Sequence, residues 1–248
     1  MRESHYDVTR HWLVIDGKST KDFDVFLSGD GTFKAAEKQL EEFTIPGRNG
    51  TFHYKSDTFK NVTVPYDCFI YRHFKDNIAA FRSFLLSRDG YVRIEDTHHP
   101  NEFRLGMYHK EFEPDVFVDL TAAKFTLEFD CKPERWLKEG EAFRFFERGT
   151  SSIRNPYYFA SKPIIRCYGA TEGSVSIGGV TVTVTGVDAK NYVDIDCEEQ
   201  EVHYGNDYTF NQKTTLVNGK FPTIKPGVNS IVCEGFVGVS VKPRWWIL

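Results

Sequence analysis

The chain has 248 residues, 40% of them hydrophobic and 15% aromatic, so it can build one large or two ordinary domains. Its 31 basic and 35 acidic side chains give a net charge of −4, which argues against a protein that grips nucleic acid, because that binding needs a basic excess. No stretch approaches the ~20 apolar residues of a membrane helix, and the first residues lack a signal-peptide core. We therefore expect a soluble protein with no membrane insertion.

Five cysteines lie 30 or more residues apart, and none forms a C-x-x-C pair. Each lies in or beside an apolar run, the usual setting of a small buried hydrophobe in a reducing compartment. We expect free, buried thiols at Cys68, Cys131, Cys167, Cys197 and Cys233.

The first 60 residues predict short strands separated by polar turns. Residues 11–15 and 23–27 are strand-like. Residues 31–42 are compatible with a helix but poorly amphipathic, and we interpret them as a polar excursion. Residues 45–50 (IPGRNG) predict a loop before a strand at 51–54. This is not a phosphate-binding loop, because its spacing is wrong and no helix follows.

The strongest helix signal lies at 74–88. Apolar side chains recur there at spacings of four, three and four, which places Phe74, Ile78, Phe81 and Leu85 on one helix face. Asp89-Gly90 ends the helix, and residues 91–94 then alternate as a strand. One helix among strands predicts a helix packed on a β-scaffold.

A polar corner follows this strand and carries the first candidate site: Glu95, Asp96, His98, His99 and Pro100. These carboxylates and imidazoles could ligate a metal ion. Adjacent histidines on an extended backbone point to opposite faces, however, so they cannot easily share one ion. We favour a structural corner whose carboxylates accept hydrogen bonds from backbone or arginine groups.

The residue patterns at 61–71 and 124–131 also predict strands. Residues 61–71 form a long strand that Pro65 interrupts, which implies an edge or a bulge. Residues 124–131 alternate most clearly. Beyond Cys131, residues 134–162 mix charged and aromatic side chains, and we interpret them as a connector. We therefore predict a first domain at 1–140 and a second at 141–248.

In the second domain, several short alternating runs separated by regular turns predict a β-sandwich. Gly178-Gly179 joins two alternating runs in a hairpin, and further strands are expected at 193–197, 201–204, 228–233 and 236–241. Turns are expected at Asn218-Gly219 and Pro226-Gly227.

Two further candidate sites lie in this half. Asp194 and Asp196 share one strand face, which could form an acid/base pair or a calcium site, although such spacing is ordinary solvation on an exposed sheet. His203 near Asn206 could belong to a sugar site. The chain ends with Trp245-Trp246, which either joins the core of the last strand or anchors another chain.

Taken together, the segments resemble the distal tail proteins (Dit) of long-tailed, non-contractile, siphovirus-type bacteriophages. In the first domain the resemblance rests on IPGRNG (45–50), NVTVPY (61–66), SFLLSRDGYVRIEDTHHPNEFRLG (83–106) and FDCKPERWLKEGE (129–141). In the second it rests on SKPIIRCYG (161–169), VDIDCEEQEVHYG (193–205), FPTIKPGVNSI (221–231) and PRW (243–245). It therefore covers most of the chain.

The resemblance implies a mainly β fold. It implies an N-terminal β-barrel or sandwich with one α-helix, followed by a galectin-like C-terminal β-sandwich. The galectin likeness concerns the fold, because the galectin sugar motif H-x-N-x-R is absent and His203-Tyr204-Gly205-Asn206 has the wrong spacing.

The function that the resemblance implies is a structural hub of the tail tip or baseplate, with no catalysis and no cofactor. The hub would be a homo-oligomer, a hexameric ring that joins the tail tube protein to the tail-tip protein and the receptor-binding protein. DNA would pass through it without specific binding. The protein would be made in the bacterial host cytoplasm and would reside at the virion tail tip.

Candidate contacts for oligomer or partner lie in the polar excursion, in the 45–50 loop and at the C-terminus: Glu41, Glu42, Arg48, Asn49, Trp245 and Trp246. Two other functions stay open. One is a carbohydrate-binding module that recognises the host through the second domain. The other is a metal-dependent hydrolase that uses the 95–99 corner or Asp194 and Asp196.

Overall fold

The computed structural model describes residues 10–29, 31–71, 73–117, 120–185, 192–205, 214–216 and 220–248. Its internal contacts divide the chain into two units, Met1–Arg135 with Leu248 and Trp136–Ile247. This division falls five residues before the boundary placed from the sequence. The fold is mainly β, as predicted, and the described part contains one α-helix.

The first unit consists of ten strands and the helix. The strands are β1 (Leu13–Ile15), β2 (Lys18–Ser19), β3 (Val25–Leu27), β4 (Lys38–Thr44), β5 (Thr51–Phe59), β6 (Val62–Ile70), β7 (Val92–Asp96), β8 (Glu102–Met107), β9 (Asp115–Val116) and β10 (Ala123–Cys131). The helix is α1 (Phe74–Leu86), and a 3-10 turn spans Thr20–Phe23. The main antiparallel sheet has the order β2-β1-β7-β8-β10-β6-β3, and β9 pairs with β10.

Strands β6 and β10 form the longest pairing of this sheet, next to its β3 end, and both alternate strictly between apolar and polar residues. They pair without interruption from Ala123↔Ile70 to Cys131↔Val62. Pro65 lies in the middle of β6 opposite Glu128, without a bulge. Strand β3 pairs only with residues 68–70, so among the described strands β6 has an open edge at Pro65.

Helix α1 ends two residues earlier than predicted, at Leu86. Phe74, Phe81 and Leu85 are buried, as the spacing predicts. The Phe81 ring lies 5.8 Å from the ring of Phe125 on β10, between ring centroids. This aromatic contact packs the helix against the sheet and closes the first core.

The interpretation of residues 31–42 as a non-strand excursion was wrong for their second half. Residues 38–44 form β4, which pairs with β5 in a separate two-stranded antiparallel sheet. Lys, Gln and Glu have low strand propensity, so the pairing with β5, and not local preference, makes this segment a strand.

The other ten strands lie in the second unit, except that Arg135, the first residue of β11, belongs to the first unit. They are β11 (Arg135–Leu137), β12 (Arg144–Asn155), β13 (Ile164–Tyr168), β14 (Glu172–Ile177), β15 (Val180–Thr185), β16 (Tyr192–Asp196), β17 (Glu201–Tyr204), β18 (Thr214–Leu216), β19 (Gly227–Lys242) and β20 (Trp246–Ile247). A 3-10 turn spans Lys138–Glu141. The sheet order is β17-β16-β13-β19-β14-β15-β18, and β12 also pairs with β19.

One long strand, β19, replaces the two strands predicted at 228–233 and 236–241. Its first half pairs with β14 and its second half with β13. Gly235, at a φ of +80°, lies between the two halves, and a Cβ on it would stand 2.6 Å from the Cα of Gly173. The strand can therefore turn through Gly235 and serve both halves of the sheet, which enclose one apolar core.

The connector predicted at 134–162 was wrong as well, because its centre is strand β12. Twelve residues of β12 run along β19, with an irregularity between Glu147 and Gly149. The segment lacks clean alternation because most of its side chains are exposed. By contrast, the Gly178-Gly179 hairpin between β14 and β15 was predicted correctly, while the expected turn at Asn218-Gly219 lies outside the described residues.

All five cysteines are free and buried, as predicted. Trp245 is only 1% exposed and belongs to the core of the second unit, so its suggested role as a contact for another chain was wrong. Trp246 is partly exposed: its ring stacks on Phe159 at 4.4 Å, and its Nε1 donates a hydrogen bond to the Ala160 carbonyl at 3.0 Å.

Candidate interaction surface

The β4–β5 ribbon exposes a row of aromatic side chains. Glu41 pairs with Tyr54, and Phe43 pairs with Phe52. Directly paired residues of an antiparallel ribbon share a face, so these four side chains form one surface, which we call the aromatic face. The exposed fractions are 51% for Phe43, 53% for Phe52 and 60% for Tyr54. Soluble monomers rarely leave such a cluster in water, so this face indicates an interaction surface.

The opposite face of the ribbon is more polar. Glu42 pairs with His53 and Thr44 with Thr51, and the Nδ1 atom of His53 lies 3.5 Å from a carboxylate oxygen of Glu42. Glu41 and Glu42 thus point to opposite faces, although the sequence places them side by side. Of the two glutamates, only Glu41 belongs to the aromatic face.

The loop predicted at 45–50 forms the tip of the ribbon. The Arg48 amide donates a hydrogen bond to the Ile45 carbonyl at 3.1 Å, and Gly47 and Gly50 adopt positive φ angles of 81° and 87°. Arg48 and Asn49 are exposed at this tip. They follow the aromatic face directly but are not part of it.

The base of the ribbon is held by two buried arginines. The Nη2 atom of Arg104 donates a hydrogen bond to the Lys34 carbonyl at 2.8 Å, and Nη2 of Arg135 donates to the Thr32 carbonyl at 2.6 Å. Their exposed fractions are 5% and 8%. Arg135 also forms an ion pair with Glu102 at 3.1 Å. These bonds attach the segment before β4 to the main sheet.

The predicted corner supports the same segment. Asp96 accepts hydrogen bonds from the His99 amide at 2.8 Å and from His99 Nδ1 at 3.0 Å. The His99 ring meets the ring of Phe33 edge-on at 5.1 Å, whereas the His98 ring stacks on His11 at 3.8 Å. The two histidines of the corner therefore make different contacts. The contact of His99 with Phe33 joins the corner to the segment that precedes β4.

Nothing in the described residues assembles the corner into a metal or substrate site. No group of three or more His, Cys, Asp or Glu side chains is placed to hold a metal ion there or elsewhere in those residues. The cavity beside Arg104 and Asp96 measures about 10 Å³, which is too small for an organic substrate. Burial and the nearby charge of Arg135 lower the pKa of Arg104.

Asp194 and Asp196 are not the solvated pair that the sequence suggested. Asp194 accepts two hydrogen bonds from Arg166, at 2.8 and 2.7 Å, and Asp196 accepts two from Arg244, at 2.7 and 2.8 Å. Burial raises the pKa of Asp196, but the bonds and charge of Arg244 outweigh it, and the pKa is lowered overall. Neither carboxylate is arranged as a proton-transfer group. Asn206, the suggested partner of His203, lies outside the described residues.

Phe43, Phe52 and Tyr54, which define this surface, are not among the site residues predicted from the sequence, although a loop at 45–50 and a strand at 51–54 were predicted. Phe43, Phe52 and Tyr54 alternate with polar residues on either side of a Gly- and Asn-containing loop, which is a hairpin signal. That signal could have identified the ribbon. Arg104 and Arg135 gave no such signal, because their partners are backbone carbonyls about 70 and 100 residues away in sequence.

No protein-family model matches the chain, and no curated protein matches its sequence. The described part contains no helix long and apolar enough to cross a membrane. Because neither sequence comparison finds a match, the class of protein is inferred from the fold.

The fold is that of a phage distal tail protein. The chain is similar to the crystal structure of the SPP1 Dit (gp 19.1) protein, described as a paradigm of hub adsorption apparatus in phages that infect Gram-positive bacteria. The TM-score is 0.73 at 17% identity, and the match covers 93% of this chain and 97% of the SPP1 chain.

A second similar structure comes from the phage p2 baseplate in its activated conformation with Sr. Its TM-score is 0.52 at 9% identity, with 93% of this chain and 97% of the p2 chain covered. At these identities the likeness concerns the fold. The resemblance to distal tail proteins is confirmed at that level, and the likeness of the second unit to galectins stays a prediction.

Proposed function

We propose that this protein is a structural hub of a phage tail tip or baseplate. In this proposal six copies form a ring that joins the tail tube to the tail-tip and receptor-binding proteins, and DNA passes through the ring. The hub needs neither catalysis nor a cofactor, and its site of action is the virion tail tip. The observation that carries the proposal, beside the fold, is the exposed aromatic face of the β4–β5 ribbon.

The ribbon has a physical reason to bind another chain. An isolated two-stranded ribbon is marginally stable in water, and this one leaves about half of each of three aromatic side chains exposed. Burying a large apolar side chain contributes on the order of 1.5–3 kcal/mol. Phe43, Phe52 and Tyr54 together can therefore supply a substantial part of an interface between copies.

A ring is the assembly that suits such a contact. A projecting ribbon that docks on a different surface of the next copy makes a head-to-tail contact, and such contacts close into rings when the rotation permits. Closure also covers strand edges that would otherwise pair without limit. The mild net negative charge of −4 per chain suits a DNA conduit, because contacts with phosphates would retard passage.

Light scattering after size exclusion tests this proposal on the full chain. We expect a particle of six 28.6 kDa chains with a ring shape in negative stain, in the purified protein or after addition of the tail tube protein. A protein that stays monomeric in both samples, at every concentration tested, would contradict the hub.

A further inference from the structure

The tip of the β4–β5 ribbon contains an asparagine that is followed by a glycine. Asn49 and Gly50 end the loop at 45–50, directly before β5, and both residues are exposed. The sequence contains this pair at one other place, Asn218-Gly219, which lies outside the described residues. Asparagine is one of the thermolabile residues of proteins, because its side-chain amide can react with the backbone that follows it. The chemistry of the tip therefore depends on whether the fold restrains this pair.

The hydrogen bond of the loop leaves the pair unrestrained. The Arg48 amide donates to the Ile45 carbonyl at 3.1 Å, so the turn closes one residue before Asn49. Neither the Asn49 side chain nor the Gly50 amide makes a hydrogen bond with any residue that the structure describes. A backbone N–H outside a hydrogen-bonded ladder exchanges its proton with water freely. Hydroxide can therefore deprotonate the Gly50 nitrogen transiently at mildly alkaline pH.

The space around Gly50 also permits a reaction at its nitrogen. The φ of Gly50 is +87°, which glycine adopts without steric cost, and an added Cβ would meet no atom within 4 Å. The nitrogen is thus shielded neither by a side chain of its own residue nor by neighbouring atoms on that side. The Asn49 side chain belongs to the preceding residue, so it can reach this nitrogen by rotation about its own bonds.

Two buried asparagines of the second unit show the opposite situation. The side-chain amides of Asn155 and Asn229 are each held by three hydrogen bonds, at 2.7 to 3.1 Å. Their exposed fractions are 2% and 5%. A side-chain amide held in this way cannot rotate toward the nitrogen that follows it. Asn155 also precedes Pro156, which has no amide proton to lose.

We propose that Asn49 is a site of spontaneous deamidation. The Gly50 nitrogen attacks Cγ of Asn49, a bond forms between these two atoms, and the bond between Cγ and Nδ2 breaks. Ammonia leaves with the proton of the Gly50 amide, and a five-membered cyclic imide remains. Water then opens this imide at one of its two carbonyl carbons, which yields aspartate or isoaspartate at position 49. The reaction requires neither an enzyme nor an oxidant.

The products change the tip in charge and in backbone length. Each event replaces a neutral amide by a carboxylate beside Arg48 and adds one negative charge to the chain's −4. Isoaspartate also adds one methylene group to the main chain between β4 and β5. The ribbon of an aged chain therefore differs at its tip from that of a newly made one. The modification is a property of the loop and does not depend on ring assembly.

Incubation of the full chain at physiological temperature and mildly alkaline pH, followed by peptide mass mapping, tests this proposal. We expect a mass gain of one dalton at Asn49, at least tenfold faster than at Asn155 or Asn229. Gly50→Ala should slow the gain about tenfold or more, because a methyl group hinders attack by the nitrogen. Asn49→Gln should abolish it over the same period, since the longer side chain would have to form a less favourable six-membered ring.

Gly47→Ala is the matched control, because Gly47 lies in the same loop, has a φ of +81° and leaves an added Cβ without neighbours within 4 Å. It strains the loop as Gly50→Ala does but keeps the Asn49-Gly50 pair, so its rate should equal that of the wild type. The proposal is overturned if Asn49 of the native chain stays unmodified under conditions that modify the guanidinium-unfolded chain. It is also overturned if Asn49 reacts no faster than Asn229, or if the two alanine variants are equally slow.

Discussion

Arg104 and Lys34 lie 70 residues apart in sequence, yet the guanidinium of Arg104 donates a 2.8 Å hydrogen bond to the Lys34 carbonyl. This bond joins β8, which belongs to the main sheet of the first unit, to the segment that leads into the β4–β5 ribbon. Arg135 repeats the arrangement two residues earlier, at Thr32. The position of the proposed interaction surface thus depends on two buried arginines.

Arg104→Ala should destabilise the first unit and loosen the base of the ribbon. The change leaves the Lys34 carbonyl without this donor, and an unpaired buried group costs about 1–3 kcal/mol. Urea unfolding measures the loss, and limited proteolysis should cut faster near residue 34. Arg82→Ala, on the exposed side of α1, is the control and should change neither measurement. Equal stability of the two variants would show that the bond does not hold the ribbon.

Phe43→Ser combined with Phe52→Ser should abolish assembly without unfolding the protein. Both rings are about half exposed in the single chain, so their loss costs the monomer little, whereas it removes the apolar centre of the proposed interface. Light scattering should report monomers, and circular dichroism should stay that of the wild type. Assembly that survives the double change would place the contact elsewhere.

Charge reversal separates the two glutamates of the ribbon. Glu41→Lys should weaken assembly, because Glu41 belongs to the aromatic face. Glu42→Lys changes the opposite face beside His53 and should have the smaller effect. The same light-scattering experiment compares the two variants. If neither variant changes assembly, β4 has no part in the contact.

The Asp196–Arg244 pair should make the second unit sensitive to acid. The pKa of Asp196 is lowered in the fold, so its contribution to stability is present above the unfolded-state pKa of about 4 and is lost as the pH falls through the folded-state pKa. Urea midpoints measured from pH 6 down to pH 2.5 should show this decline. Asp196→Asn and Arg244→Gln should each flatten it, and an unchanged slope in both variants would contradict the assignment.

Gly235→Ala should destabilise the second unit by more than 1 kcal/mol, as a rough estimate. An alanine must adopt the positive φ of 80°, and its Cβ would also stand 2.6 Å from the Cα of Gly173. Gly149→Ala is the matched control, because Gly149 has a φ of 111° but no atom within 4 Å of the added Cβ. Thermal unfolding of both variants separates the steric cost from the backbone cost. If both variants lose the same amount of stability, the close approach of Gly235 to Gly173 does not contribute to the cost of Gly235→Ala.

Elements whose pattern is local could be predicted from the sequence alone. Strict alternation identified β10, and the strand-like run at 61–71 identified β6. The spacing of Phe74, Ile78, Phe81 and Leu85 identified α1, and Gly178-Gly179 identified the hairpin of the second unit. Apolar surroundings identified the buried cysteines. In each case the residues that form the element also bear its signal, because burial on one face imposes a period on the sequence.

Features that depend on residues distant in sequence could be recognised only from the three-dimensional structure. β4 is a strand because β5 pairs with it, β12 because β19 does, and β19 remains one strand because Gly235 permits a turn beside Gly173. Trp245 was open between core and surface until its neighbours were placed. Pairing and burial across the fold override weak local propensity, and a side chain that bonds to a remote carbonyl, as Arg104 does, leaves no pattern in its own neighbourhood.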